Sequence, residues 1–212
     1  MPIILLIRHG ENDYVKTGKF AGRLPGVHLN TKGQQEASEL ADGLKDVPLS
    51  AIYSSPLERA IETAQPLAKT KRLKVTIADG LIETDIGDWK GMEIKRARKL
   101  PEWKNVQNSP SRFRFPKGES FQEEQTRLVN AMEKILSKHK QNDLVAVFSH
   151  ADPIKLIIAY YLGMPLDHFQ RLGCNTGSVS VLAISLSGIT ALGINLRPPF
   201  HIFAPNAKSK RH

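Results

Sequence analysis

The sequence predicts an α/β protein, a three-layer sandwich with a mostly parallel central sheet and helices on both faces. Two observations carry that expectation. Residues 3–7 (Ile-Ile-Leu-Leu-Ile) and 144–148 (Leu-Val-Ala-Val-Phe) are apolar without interruption, as strands are when both of their faces are buried. Amphipathic helical patterns lie between the apolar segments, and such alternation joins parallel strands through helical crossovers.

Each element has its own signal. After the strand at 3–7, Thr31 with Gln34 three residues on gives a capping-box pattern, followed by Ala37, Leu40, Ala41 and Leu44 at helical spacing. Residues 51–53 read as a short strand. Ser55, Pro56 and Glu58 then place a cap, a first-turn proline and a third-position carboxylate in register, predicting a helix from Pro56 to about Lys69. Residues 73–77 read as another strand. Residues 79–120 are irregular, with a short helix expected near 93–99 and prolines at 101, 110 and 116. A long helix is expected over 120–139, where Leu128, Ala131, Ile135 and Leu136 share a stripe. Beyond the apolar strand at 144–148, Asp152-Pro153 opens a helix with Ile154, Ile157, Ile158, Tyr161 and Leu162 inward. Residues 179–186 and 189–196 alternate around Ser187-Gly188, a hairpin pattern.

Composition narrows the class. The chain has 212 residues, 41% of them apolar, enough for one domain with a sizeable core, so a disordered chain is excluded. Cys174 is the lone cysteine, which rules out a disulfide framework and fits a reducing compartment. The opening apolar run is too short for a signal-peptide core and ends in Arg8-His9, and no segment approaches the length of a membrane span. A cytoplasmic protein without membrane partners is expected. The formal net charge is +9, with Lys208, Lys210 and Arg211 crowding the terminus.

In a doubly wound sheet, ligands bind beyond the carboxyl ends of the strands. Four such ends carry chemistry: Arg8-His9-Gly10-Glu11-Asn12; Ser54-Ser55-Pro56-Leu57-Glu58-Arg59; Leu81-Ile82-Glu83; and Ser149-His150-Ala151-Asp152. Histidine beside arginine at a buried strand end calls for an anionic partner, because neither is easily desolvated alone. The set suits phosphoryl transfer through histidine. A neutral imidazole attacks phosphorus, two guanidinium forks and a second imidazole hold the non-bridging oxygens, and a carboxylic acid protonates the leaving alcohol.

The motifs Arg8-His9-Gly10-Glu11, Ser55-Pro56-Leu57-x-Arg59-Ala60-x-x-Thr63-Ala64, Leu81-x-Glu83 with Gly87-x-Trp89-x-Gly91, and Ser149-His150 resemble the histidine phosphatase (phosphoglycerate mutase-like) superfamily, in that family's order. The resemblance implies a phosphoglycerate mutase-like fold over residues 1–206. It implies that His9 is the phosphorylated nucleophile, that Arg8, Arg59 and His150 form the phosphate pocket, and that Glu83 is the proton donor. The family often has Asn six residues after the nucleophile and Gly after the second histidine; here Val15 and Ala151 stand there, and Asn12 is the substitute expected to touch phosphate. Thr84 follows Glu83 where mutases usually carry Arg, which favours hydrolysis over mutase chemistry. The loop at 22–29, with Arg23 and His28 as candidate substrate contacts, and Gly118-Glu119-Ser120 look like small phosphatases of the family. Residues 92–120, rich in Lys and Arg, resemble its variable lid-like insertion. Residues 207–212 read as a disordered basic tail.

The leading expectation is a cofactor-free and metal-independent phosphatase acting on a small phosphorylated metabolite. A metal site from His9, His150 and nearby acids lacks helical ligand spacing and cysteine support. The alternatives are a phosphoglycerate mutase and a weakly catalytic basic binding protein. Nucleic acid is not expected, since no aromatic-interleaved basic patch accompanies the charge. Nothing in the sequence sets an oligomeric state.

Overall fold

The computed structural model describes residues 2–185 and 188–200. Six strands form one sheet: β1 (Ile3–Arg8), β2 (Leu49–Ser54), β3 (Val75–Ile77), β4 (Leu144–Ser149), β5 (Val179–Ser185) and β6 (Gly188–Leu196), in the spatial order β3-β2-β4-β1-β5-β6. The pairs β2–β3, β2–β4 and β1–β4 are parallel, while β5 runs antiparallel to both β1 and β6.

Strand pleating sorts side chains between two cores. On one face Leu5, Ile7, Ile52, Ala146 and Phe148 pack under α2 (Thr31–Gly43) and α3 (Glu58–Lys71) through Leu40, Leu44, Ala64 and Leu67. On the other, Ile4, Leu6, Val145 and Val147 meet α6 (Phe121–Leu136) and α7 (Ala151–Tyr161) through Leu128, Met132, Ile154 and Ile158. Burial on both faces is why β1 and β4 are apolar throughout. Fully burying one such side chain contributes roughly 1.5–3 kcal/mol, so the strand pair that the two histidines follow is firmly anchored.

Several local expectations need correcting. Asn30, not Thr31, caps α2, its Oδ1 accepting from Gly33 N at 2.9 Å. The box expected at Ser55 does not form: α3 begins at Glu58 after Leu57, without a side-chain cap. Ser55 Oγ lies 2.8 Å from His150 Nε2 and accepts from Leu57 N at 3.4 Å, so it serves a tertiary partner beside a local turn rather than the helix start. A complete capping box does form at Ser120 and Glu123, at the start of α6. The irregular third of the chain folds into α4 (Ile94–Ala97), α5 (Trp103–Asn108) and 3-10 turns; α5, six residues long, is too short for a periodic signal. The hairpin pairs as expected, though Ser187 lies outside the described residues, as does the tail at 207–212.

One close approach shapes the rim of the sheet. The amino end of α2 lies against the loop after β1, where a Cβ on Gly10 would stand 2.5 Å from the Gly33 carbonyl and one on Gly33 only 2.0 Å from that of Glu11. Glycine at both positions lets the two backbones touch. This fixes the loop that begins at His9.

Candidate active site

The parallel register of β1 and β4 sets Arg8 opposite Ser149, so the next residues, His9 and His150, emerge side by side. Their rings stand 5.2 Å apart between centroids and are almost inaccessible, at 3% and 0% exposure. Arg59, in the first turn of α3, is 1% exposed, unusual burial for a guanidinium.

Hydrogen bonding sets the tautomer of His9. Its Nδ1 is 2.7 Å from the Gly10 carbonyl, which can only accept, so Nδ1 carries the proton and Nε2 presents a lone pair. Burial, then Arg59 and Arg8, hold the imidazole pKa well below its ordinary value. The Gly10 carbonyl opposes this and does not prevail. The loop is anchored from below, with Gly10 N donating to Thr63 Oγ1 at 2.9 Å and Thr63 Oγ1 donating to the Arg59 carbonyl. His150 is likewise kept neutral, by burial first and then by Arg59.

The remaining donors belong to Arg8, Arg59, Asn12 and His150. Arg8 is held through Nη1 on the Cys174 carbonyl, and Arg59 through Nη2 on the Gly22 carbonyl. Arg59 Nε points at His9 Nε2 from 3.3 Å. Asn12 Oδ1 caps the short helix α1 (Asp13–Lys16) by accepting from Val15 N. Ser55 Oγ accepts from Leu57 N at 3.4 Å, so its proton goes to His150 Nε2 and His150 Nδ1 carries the ring's own proton. That leaves Arg8 Nε, Arg59 Nη1, Asn12 Nδ2 and His150 Nδ1, all buried donors with no hydrogen-bond partner among the described residues. Buried unpaired donors are costly. Arg8, Asn12 and Arg59 line one cleft with His9, whose ring packs against that of His150, and together they describe a cup for an anion with several acceptor oxygens.

Glu83 stands at the edge of that cup. Its Oε2 is 3.8 Å from Arg59 Nη2 and 3.7 Å from His150 Nδ1, and its side chain is 18% exposed. Desolvation raises its pKa against the pull of Arg59, which suits a group that must be a proton donor near neutrality. His9, Glu83 and His150 also place ligand atoms within 4.8 Å of one another, a grouping that could embrace a metal ion. With both arginines turned toward the same space, the field there favours an anion over a cation.

The candidates in the loop at 22–29 land elsewhere. Arg23 donates through Nε to the Glu83 carbonyl at 2.7 Å and through Nη2 to Glu119 Oε1 at 2.8 Å. It supports Glu83 from the side and is not among the residues lining the cleft. His28 pairs with Glu62 on α3 with 61% of its side chain exposed, also away from the cleft. Both side chains are engaged by protein carboxylates.

Sequence reasoning missed the bracing of Glu83. Glu119 accepts from Arg23, from Arg127 Nη2 at 2.7 Å and from Asp85 N at 2.9 Å, while Arg127 Nη1 donates to the carbonyls of Gly80 and Ile82. Gly87, at φ +49°, lets this segment press on 116–118, where a Cβ would stand 1.9 Å from the Pro116 carbonyl. It also missed Thr84 and Glu124, both fully buried behind Glu83 and bonded at 2.9 Å. No sequence signal marks Glu124, which sits where the helical stripe asks for an apolar residue.

Cup and cleft together enclose about 380 Å³. Phe20, Ile94, Trp103 and Val106 line it, the last three from α4 and α5, and Lys19 and Arg98 stand at its exposed edge.

The profile of the histidine phosphatase superfamily (branch 1) matches residues 4–197. The chain belongs to the histidine phosphatase superfamily. Phosphoserine phosphatase 1 of Hydrogenobacter thermophilus is 32% identical over 195 residues, which cover 91% of this chain and 92% of that protein. The 2,3-bisphosphoglycerate-dependent phosphoglycerate mutase of Thermoplasma acidophilum is 32% identical over 200 residues, with the same two coverages. The crystal structure of the alpha-ribazole phosphatase from Shigella flexneri aligns with a TM-score of 0.82 at 27% identity, over 92% of this chain and 96% of that one. The phosphoglycerate mutase-like fold expected of a histidine phosphatase is therefore present, and the protein is a phosphoric monoester hydrolase of this type. Among the described residues, no helix of this histidine phosphatase is long and apolar enough to cross a membrane.

Proposed function

We propose that the protein hydrolyses a small phosphomonoester, without a metal ion, through a phosphohistidine at His9. The four unpaired buried donors, on residues grouped about His9, carry this reading. Phosphate oxygens placed among Arg8, Asn12, Arg59 and His150 would leave phosphorus in front of the nucleophile. Arg59 Nε, now facing the lone pair from 3.3 Å, would turn to an oxygen and free Nε2 to attack. The P–O bond to the alcohol breaks as the P–N bond forms, and Glu83 gives its proton to the leaving oxygen. The resulting carboxylate then takes a proton from water as that water attacks the phosphohistidine, releasing inorganic phosphate and restoring both groups. The two guanidinium groups neutralise the charge on the transferring phosphoryl, work done by Mg²⁺ in other phosphoryl-transfer enzymes.

The leaving group would occupy the chamber walled by Phe20, Ile94, Trp103 and Val106. Such a lining favours an apolar or aromatic alcohol over a small polar one, and Lys19 and Arg98 suit a second anionic group at its far end. This extends the substrates named for the relatives, which include phosphoserine phosphatase 1. A reducing, cytoplasmic setting agrees with the lone cysteine.

The test is trapping of an acid-labile phosphoenzyme, together with phosphate release in the presence of a chelator. Loss of release in chelator would refute metal independence, and a His9→Ala enzyme that still turned over would refute the nucleophile. The Thermoplasma relative makes a mutase the second reading; it requires a bisphosphorylated primer and retention of the phosphoryl group. Steady phosphate release without primer rules it out.

A further inference from the structure

Behind Glu83 lies a carboxyl that the reaction above does not use. Glu124, near the start of α6, is 0% exposed. The adjacent guanidinium, Arg127, is spent on Glu119 and on the carbonyls of Gly80 and Ile82. Glu124 Oε1 contacts the Thr84 hydroxyl at 2.9 Å, and Oε2 is buried without a hydrogen-bond partner among the described residues. An ionised carboxylate in that position would be a bare buried charge, whereas a neutral carboxyl leaves only a weak acceptor unmatched. The groups facing it agree. Glu119, Asp152 from α7 and Glu83 all add to desolvation in pushing its pKa well above the ordinary value, and Arg127 alone opposes.

Thr84 connects the two carboxyls. Its backbone N–H donates to Glu83 Oε1 at 3.0 Å, and its hydroxyl stands 3.4 Å from the same oxygen and 2.9 Å from Glu124 Oε1. That hydroxyl has one proton and two claimants. If Glu124 is ionised, the proton must go to the closer carboxylate and Glu83 loses it. If Glu124 is neutral, its own O–H can donate to Thr84 Oγ1, and the Thr84 proton is free for Glu83.

We propose that Glu124 is a positioning residue: held neutral, it donates to Thr84 Oγ1, so that the Thr84 hydroxyl donates to Glu83 Oε1 and keeps Oε2 turned to the phosphate cup. Glu83 is thus gripped from behind by the N–H and O–H of one residue, with its other oxygen beside Arg59 and His150. A donor on Oε1 also favours the carboxylate form, which the second half of the reaction needs, so burial does not lock Glu83 as an acid. The inference rests on Glu83 being the acid and base.

Two measurements on the full chain test it, with 2-phenylethyl phosphate as substrate. Infrared difference spectra of wild type and Glu124→Gln at neutral pH should reveal a protonated carboxyl band that the variant lacks. Thr84→Val should lower kcat by about tenfold with KM little changed, the size of one hydrogen bond to a charged group. It should also move the alkaline limb of kcat/KM, which reports Glu83 in the free enzyme, to higher pH. Thr84→Ser should restore both. Glu124→Gln, whose amide still donates to Thr84, should keep kcat within about twofold of wild type. A Glu124 carboxyl already ionised at neutral pH overturns the proposal, as does a Thr84→Val profile whose alkaline limb stays in place. Should Thr84→Val not fold, the infrared band decides alone. A Glu83→Gln enzyme with undiminished kcat would instead remove the acid assignment, and so separates that failure from this one.

Discussion

The floor and the roof of the cleft are built on different principles. The floor is made of residues at or just past strand and helix ends, where sheet register decides what stands beside what: His9 and His150 follow paired positions of β1 and β4, and Arg59 opens α3. Its polar atoms are buried and oriented by backbone carbonyls. The roof is a set of short helices and turns held by aromatic contacts, Trp89 stacking on Trp103 at 6.4 Å and 17°, with Phe20 against both. Its cations are exposed, and those that pair do so with peripheral acids, as Lys117 does with Asp88. Chemistry that tolerates little misplacement sits on the rigid element, and groups that select a leaving group sit on one that could be exchanged without disturbing the sheet.

That contrast predicts a graded set of outcomes. The largest effect should come from His9→Ala, which removes the atom that bonds phosphorus and should lower kcat by about 10³-fold or more for every ester. Next, Arg59→Lys should cost on the order of 100-fold in kcat/KM, again irrespective of leaving group, because an ammonium cannot reproduce the fork. If either loss depended strongly on the alcohol, the division between floor and roof would be wrong. Trp103→Ala should do the opposite. It should raise KM for 2-phenylethyl phosphate by about fivefold and leave ethyl phosphate unchanged, the two alcohols being of similar acidity. An equal loss on both esters would mean that Trp103 supports the floor. The smallest effect belongs to His28→Ala, expected to leave kcat and KM within about twofold of wild type because its exposed pair with Glu62 lies outside the cleft.

Stability should show the same contrast through pH. His9 and His150 have depressed pKa values in the folded protein, with burial the leading cause. The unfolded chain therefore binds more protons below the ordinary histidine value of 6.5, and the stability held above that pH is lost as pH falls through the range beneath it. Thermal melts should show Tm dropping on acidification from neutral pH, and His150→Asn should flatten the drop. His28 works the other way, its pKa raised by Glu62, so His28→Ala should leave the acid-side drop in place. A wild-type Tm flat across that range would contradict the burial of the floor.

Much of this was legible in the sequence because it depends on local pattern. Uninterrupted apolar strands, helical stripes and ordered motifs placed His9, Arg8, Arg59, His150 and Glu83 on one rim of one sheet. Expectations failed where a side chain had competing partners. Ser55 reads as a helix cap and serves His150. Nothing in the sequence marks Cys174 as the half-buried residue whose carbonyl anchors Arg8.

Residue order by itself determined the layers, the strands that bear the two imidazoles and the types of group available at their ends, because periodicity and motif spacing are properties of neighbours along the chain. Tertiary structure alone decided which nitrogen of His9 is free, which four donors lack partners, and that Glu124 lies buried behind Glu83. Those depend on distances between residues far apart in sequence, and a hydrogen bond or a desolvation penalty exists only once the packing has set them.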